Sequence, residues 1–267
     1  MPKHIWLIAA AAVIFGLLSF LVILAANGFD FSLALGKRQT VLPQEEETTA
    51  EDGAADVSVL QDLSDAVNFL AICYQEKELT FCTVISVLPA QASIRVKPVS
   101  PDFILETEAG KYRLSDLFRR GSIKDIAEGF SAKSIPIARY VTVTEDDFIS
   151  VLQRLGPVNI RLEQTYDFSD GAVRYTYSPG EASMSAEAVM SFMKYAAAGD
   201  DLLRLQARTV ADVIRTHFTA ENAEKGEDFF AELINFVNTD ITVFDYTPAA
   251  GAIKALAATG VTISVIS

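Results

Sequence analysis

Charged side chains gathered in the stretch 177–208, YSPGEASMSAEAVMSFMKYAAAGDDLLRLQAR, have the spacing for anion chemistry. The stretch reads as a turn, a short amphipathic helix ending near Lys194, a Gly-Asp break, and a second helix opened by Asp200 and Asp201. Arg204 and Arg208 follow at i, i+4 spacing, which places both on one face of that helix. A guanidinium offers paired donors that match phosphate oxygens, and a helix N-terminus adds positive potential. Lys194, Arg204 and Arg208 are therefore candidate phosphate ligands, and Lys194 and Arg204 are expected to project into one apolar-lined cleft. The same residues are also compatible with ordinary helix chemistry, since an acid near an N-terminus favours the dipole and exposed ion pairs contribute little.

Other chemistries find little support. The chain holds two histidines, His4 and His217, far apart in sequence, so a histidine-based metal site or a Ser-His-Asp triad is not expected. No glycine-rich phosphate loop or nucleophile elbow is present. The net charge of -13 opposes a nucleic-acid partner, which requires clustered Lys and Arg. Any anion site must be a local exception to that acidic balance.

The elements that have to position these residues follow from patterning. Residues 5–26 form an uncharged apolar run long enough to span a bilayer and longer than a signal-peptide core, so the reading is a retained transmembrane helix after a short cytoplasmic start at 1–4. Lysine and arginine on its two sides do not fix an orientation. The long domain that follows is expected outside the cell, anchored in the cell membrane by a single pass. Residues 27–59 include PQEEETTAEDGAAD, acidic and without aromatics, a solvated linker. Folding begins near residue 60, where 60–63 is a short helical or strand lead.

Two apolar strands, at 67–74 and 79–88, turn near Lys77-Glu78. Cys73 and Cys82 would then face each other, and outside the cell they could be bridged; two buried thiols are the alternative. A strand at ASIRVKPV, a hairpin around Ala109-Gly110 and a helix at 122–130 follow. IARYVTVT is a strand. Thr144 is an N-cap before three carboxylates, and Gly156 is the stop of the resulting helix. VNIRL and 172–177 are strands, and Ser185 caps the helix ending near Tyr195. Helices are expected at 201–218 and 221–237, ITVFDY is a short strand or an extended connector, and Thr247-Pro248 starts a helix that ends at Gly260. VTISVIS closes the chain as a strand. Strand–helix–strand alternation makes the fold class α/β, an α/β/α sandwich around a mixed sheet.

The layout, and above all SPGEASMSAEAVMSFMKYAAAGDDLLRLQARTVADVI, resembles the LytR-CpsA-Psr (LCP) family, also called the cell-envelope-related transcriptional attenuator domain. The resemblance covers about 35 residues sharply, extends loosely over 68–218, and takes in the phrase NTDIT. It places an LCP-like domain at 60–219, with the helices and strand of 220–267 packed on it. It implies transfer of a glycopolymer from a polyprenyl-pyrophosphate carrier to peptidoglycan, with arginines on the pyrophosphate, acidic residues on Mg²⁺ and the lipid in an apolar groove. Arg204, with Asp201 three residues before it, falls where the family has a catalytic Asp-x-x-Arg.

Other positions depart from the family pattern. Lys194 and Ala196 stand where the helix motif has arginines, Ala207 replaces a third, Val99 replaces an arginine upstream, and Leu79-Thr80 replaces a metal-binding Asp-Thr. The resemblance thus leaves two readings open: a transferase with an altered site, or an inactive domain that binds a lipid-linked or wall polymer, or a partner protein. Apart from the possible Mg²⁺, no cofactor is implied.

Overall fold

The computed structural model describes residues 66–88, 91–195, 200–247 and 250–266. The expected membrane span at 5–26, the linker at 27–59 and the lead at 60–63 lie outside the described residues. No described helix is long and apolar enough to cross a membrane.

The centre is a six-stranded mixed sheet. β1 (Val67–Gln75) and β2 (Glu78–Leu88) form an antiparallel hairpin, and β2 continues antiparallel to β3 (Ser93–Pro98). β6 (Ile137–Thr144) runs parallel to β1, the two-residue β11 (Asn238–Thr239) lies antiparallel to β6, and β12 (Thr262–Val265) runs parallel to β3. Both faces of the sheet are covered, as the continuous apolar runs of β1 and β2 require. On one face Leu70, Ile72, Cys82 and Val84 pack against α1 (Leu114–Arg119), α2 (Ile123–Ser131) and the hairpin of β4 (Ile104–Thr107) with β5 (Gly110–Arg113). On the other face Phe69, Cys73, Phe81 and Ile85 meet α3 (Glu145–Leu155), α4 (Ala186–Lys194) and α5 (Asp200–His217). The architecture is the α/β/α arrangement read from the sequence.

The register of the β1–β2 hairpin rules out the bridge considered for the cysteines. Glu76 and Lys77 form the turn with φ of 49° and 72°, the doubly left-handed geometry of a tight hairpin loop. A bulge between Cys73 and Tyr74 then shifts the ladder by one residue, so Cys73 pairs with Phe81 and Cys82 with Ile72. Adjacent register positions point to opposite faces of a sheet. Cys73 lies in one core and Cys82 in the other, both as free thiols that burial pushes well above the ordinary cysteine range.

Local capping chemistry sets several boundaries. Thr144 caps α3 by accepting from the Asp147 amide, and Gly156 ends that helix at φ 97°. Ser185 caps α4 by accepting from Ala188. The helix expected at 221–237 is broken instead. Gly226, at φ 76°, separates α6 (Ala220–Glu224) from α7 (Gly226–Leu233), and a 3₁₀ turn at Ile234–Phe236 follows. ITVFDY is neither strand nor connector; Thr242 and Asp245 build a capping box that starts the short helix α8 (Val243–Tyr246). α9 (Ala250–Thr259) then leads into β12.

β7 (Val158–Leu162) leaves the central sheet and pairs antiparallel with β10 (Gly180–Met184), a strand the sequence pattern did not announce. Between them β8 (Tyr166–Ser169) and β9 (Arg174–Tyr177) form a separate hairpin. Along β7, Val158, Ile160 and Leu162 enter the core, while Asn159 and Arg161 face outward.

One close approach gives a stability prediction. A Cβ added to Gly129 in α2 would lie 2.7 Å from the Cβ of Leu105 in β4, an atom fixed by its own backbone. Alanine is the better helix former by about 1 kcal/mol, but overpacking at this site costs more, so Gly129→Ala is expected to destabilise by about 2 kcal/mol. Urea unfolding of the two proteins checks the sign; a variant more stable than the parent would show that β4 yields freely.

Candidate functional site

One face of α5 forms the wall of a cleft of about 1590 Å³. Arg204, Arg208, Asp212 and Arg215 recur at helical spacing along it. The outward side of β7 and β10 also lines the cleft with Asn159, Arg161 and Glu181, and Glu163 lies just beyond β7. The ends of β3 and β12 close the cleft with Pro98, Ser100, Val265 and Ile266. The charged lining comprises four arginines and three acids, a balance of 4 − 3 = +1, in a chain whose net charge is -13. This is the local exception that the acidic composition demanded.

The arginines are not equivalent. Arg208 donates to Glu163 at 2.7 Å, and Arg215 pairs with Asp212 one turn earlier. The Arg208 hydrogen bond holds the Glu163 carboxyl below the usual carboxylate range, with the Arg208 charge and the nearby charges of Arg204 and Arg161 acting in the same direction. Burial pushes the Asp212 carboxyl up despite Arg215 and an N–H donated by Arg161. The side chains of Arg161 and Arg204 make no hydrogen bond or ion pair among the described residues, and both are exposed to the cleft. Two guanidiniums without a hydrogen bond or ion pair, Arg161 from β7 and Arg204 from α5, thus line one cleft, and each offers an anion paired donors.

The residues proposed from sequence are thereby divided. Arg204 and Arg208 share the cleft, joined by Arg161 and Arg215, which sequence reasoning had not chosen. Asp201 is exposed on the first turn of α5 and does not line the cleft. Lys194 does not line it either. Its ammonium sits 2.7 Å from Glu145, the first residue of α3, and Thr80 donates to the other carboxylate oxygen at 2.5 Å. Gln206, buried, ties this cluster together by donating to the carbonyls of Thr80 and Met193 at 2.8 and 3.1 Å. Gln206 is two residues from Arg204, about 200° round the helix, so α5 turns one side to the cluster and the other to the cleft.

The Mg²⁺ implied by the family resemblance does not fit the residues present. Glu145 is already satisfied by Thr80 and by the Lys194 ammonium, which would repel a cation. Among the described residues no group of three or more His, Cys, Asp or Glu is arranged to hold a metal.

No protein-family model matches the sequence, and no curated protein matches it. Solved structures do. B. subtilis TagV superposes with a TM-score of 0.63 at 16% identity, over 76% of this chain and 84% of that one. This is an LCP-like fold. A protein of Eubacterium siraeum DSM 15702 described as a transcription regulator gives a TM-score of 0.63 at 16% identity, covering 86% of this chain and 89% of its own. TagT bound to LIIa-WTA gives a TM-score of 0.57 at 13% identity, covering 75% and 78%. Within the LCP-like fold the cleft runs beside the helix that carries Arg204, the position at which the sequence resembles the family most.

Proposed function

We propose that the chain is a cell-envelope protein that binds a phosphate-bearing, lipid-linked or wall glycopolymer in the cleft beside α5 and does not turn it over. The observation that carries this reading is the pair of exposed guanidiniums, Arg161 and Arg204, which line one cleft without a hydrogen bond or ion pair among the described residues, in an otherwise acidic chain. The LCP-like fold supplies the polymer class, since TagT has been solved bound to LIIa-WTA. Residues 5–26 would anchor the protein in the membrane and place the domain outside the cell, next to such polymers.

The reading without turnover is supported by the departures from the family motif in the sequence. Phosphoryl transfer needs positive charge free to meet the charge that develops on the leaving group, and removing one such donor costs roughly 10²–10³ in rate. Here the ammonium of Lys194, which stands where the resemblance has an arginine, is spent on Glu145, and Leu79, Val99 and Ala207 stand at other positions where the resemblance has charged residues. Transferase action is the second reading, favoured by the fold shared with TagV and TagT.

One experiment separates the two. The full chain is incubated with a polyprenyl-pyrophosphate-linked glycan, Mg²⁺ and peptidoglycan fragments. Retention of the glycan without release of the carrier phosphate is expected, and it should weaken in Arg204→Ala. Appearance of glycan on the peptidoglycan would establish the transferase instead, and failure of the glycan to bind would overturn both readings.

A further inference from the structure

The cleft holds more negative charge than a site for a plain polyanion should. Glu163 and Asp212 are each neutralised from within, by Arg208 and Arg215. That leaves three uncommitted charges on the lining: Arg161, Arg204 and Glu181. Glu181 has no hydrogen bond or ion pair among the described residues, and it is the cross-strand partner of Arg161 in the β7–β10 ladder. Side chains opposite one another in such a ladder leave the sheet from Cβ atoms about 5 Å apart. A carboxylate therefore stands beside Arg161, while Arg204 lines the same cleft from α5. An anion held by Arg161 and Arg204 would be repelled by Glu181 unless the ligand carries a positive group a few bonds from its phosphate.

We infer that the cleft selects a zwitterionic phosphodiester, its phosphate between Arg161 and Arg204 and its ammonium against Glu181. The inference rests on the anion-binding reading above and adds the charge pattern of the ligand. Glu181 becomes the specificity-determining residue, and Glu163 does not, because its carboxylate already serves Arg208. Two carriers present this chemistry, a lipid headgroup and an amine-bearing polymer.

The full chain is titrated at low salt with glycerophosphoethanolamine and with glycerophosphoglycerol, which share the phosphodiester and differ in the amine. The wild type is expected to bind the amine-bearing probe about two- to fivefold more tightly, the range of an exposed charge pair. Glu181→Gln should abolish or reverse that preference, lowering affinity for the first probe and raising it for the second. Glu163→Gln, which frees Arg208, should raise both affinities and keep their ratio.

Equal binding of the two probes by the wild type, or a rise for both in Glu181→Gln, overturns the inference and leaves the anion site standing. Failure of both small probes while the lipid-linked glycan binds does the same; failure of all three removes the anion-binding function as well. Where the preference is found, sedimentation with phosphatidylethanolamine vesicles against phosphatidylglycerol vesicles separates the carriers. Binding to the former that depends on Glu181 assigns the group to a lipid, and its absence assigns it to a polymer.

Discussion

Removing the Arg204 guanidinium is expected to lower affinity for the lipid-linked glycan by about ten- to a hundredfold, the range for losing hydrogen bonds between charged groups. Arg161→Ala should act similarly, and the double variant should lose measurable binding. Lys194→Ala should change affinity by less than about twofold, because its ammonium belongs to Glu145 and lies outside the cleft. That variant should instead lose stability, since it leaves the buried Glu145 carboxylate with Thr80 alone. Calorimetric titration of the parent and the four variants tests the division directly. A large loss in Lys194→Ala with little change in Arg204→Ala would move the site from the cleft to the Glu145 cluster. Salt separates contact from general attraction: the Debye length is about 8 Å at 0.15 M, so an effect confined to low salt would mark long-range steering rather than a grip.

How far the sequence could lead to that division depends on the distance over which each feature is decided. The cap at Thr144, the stop at Gly156 and the cap at Ser185 are settled within four residues, and all three are legible in the sequence. The face shared by Arg204 and Arg208 is equally local. Arg161 is legible only as an outward position in VNIRL; that it shares a cleft with Arg204 depends on how α5 packs along β7, through contacts some 50 residues apart, such as that of Arg161 with Asp212. The Glu145–Lys194 pair spans 49 residues and left no local trace, because an acid in the first turn of a helix is ordinary.

β10 was missed because GEASM has little strand propensity of its own and is held extended by β7. Gly226 breaks a run whose apolar spacing reads as one helix, and its positive φ is a property of the packed chain. The cysteine register turned on one bulged residue, and a slip of one reverses the face of every side chain beyond it.

His217 shows the same dependence on packing, with a measurable consequence. It ends α5, where the helix dipole favours an imidazolium. Burial outweighs the dipole: His217 is 5% exposed, its Nε2 has no hydrogen-bond partner among the described residues, and the pKa is lowered to about 4, with the Lys225 charge acting in the same direction. The folded protein therefore keeps a neutral ring at pH values where the unfolded chain, titrating near 6.5, already binds a proton. Stability from this group is fully present above about pH 6.5 and is lost as pH falls toward about 4, in total by about 3 kcal/mol. The carboxyls of Asp212 and Asp240, pushed up by burial, act in the opposite direction over part of that range, so the parent protein alone would understate the effect. The difference between the parent and His217→Gln isolates it. Urea unfolding at pH 7, 6, 5 and 4.5 should show the parent losing stability steadily relative to the variant, which has no proton to gain there. Parallel curves for the two proteins would mean that the imidazole is protonated in the folded state, with water or an acid reaching Nε2.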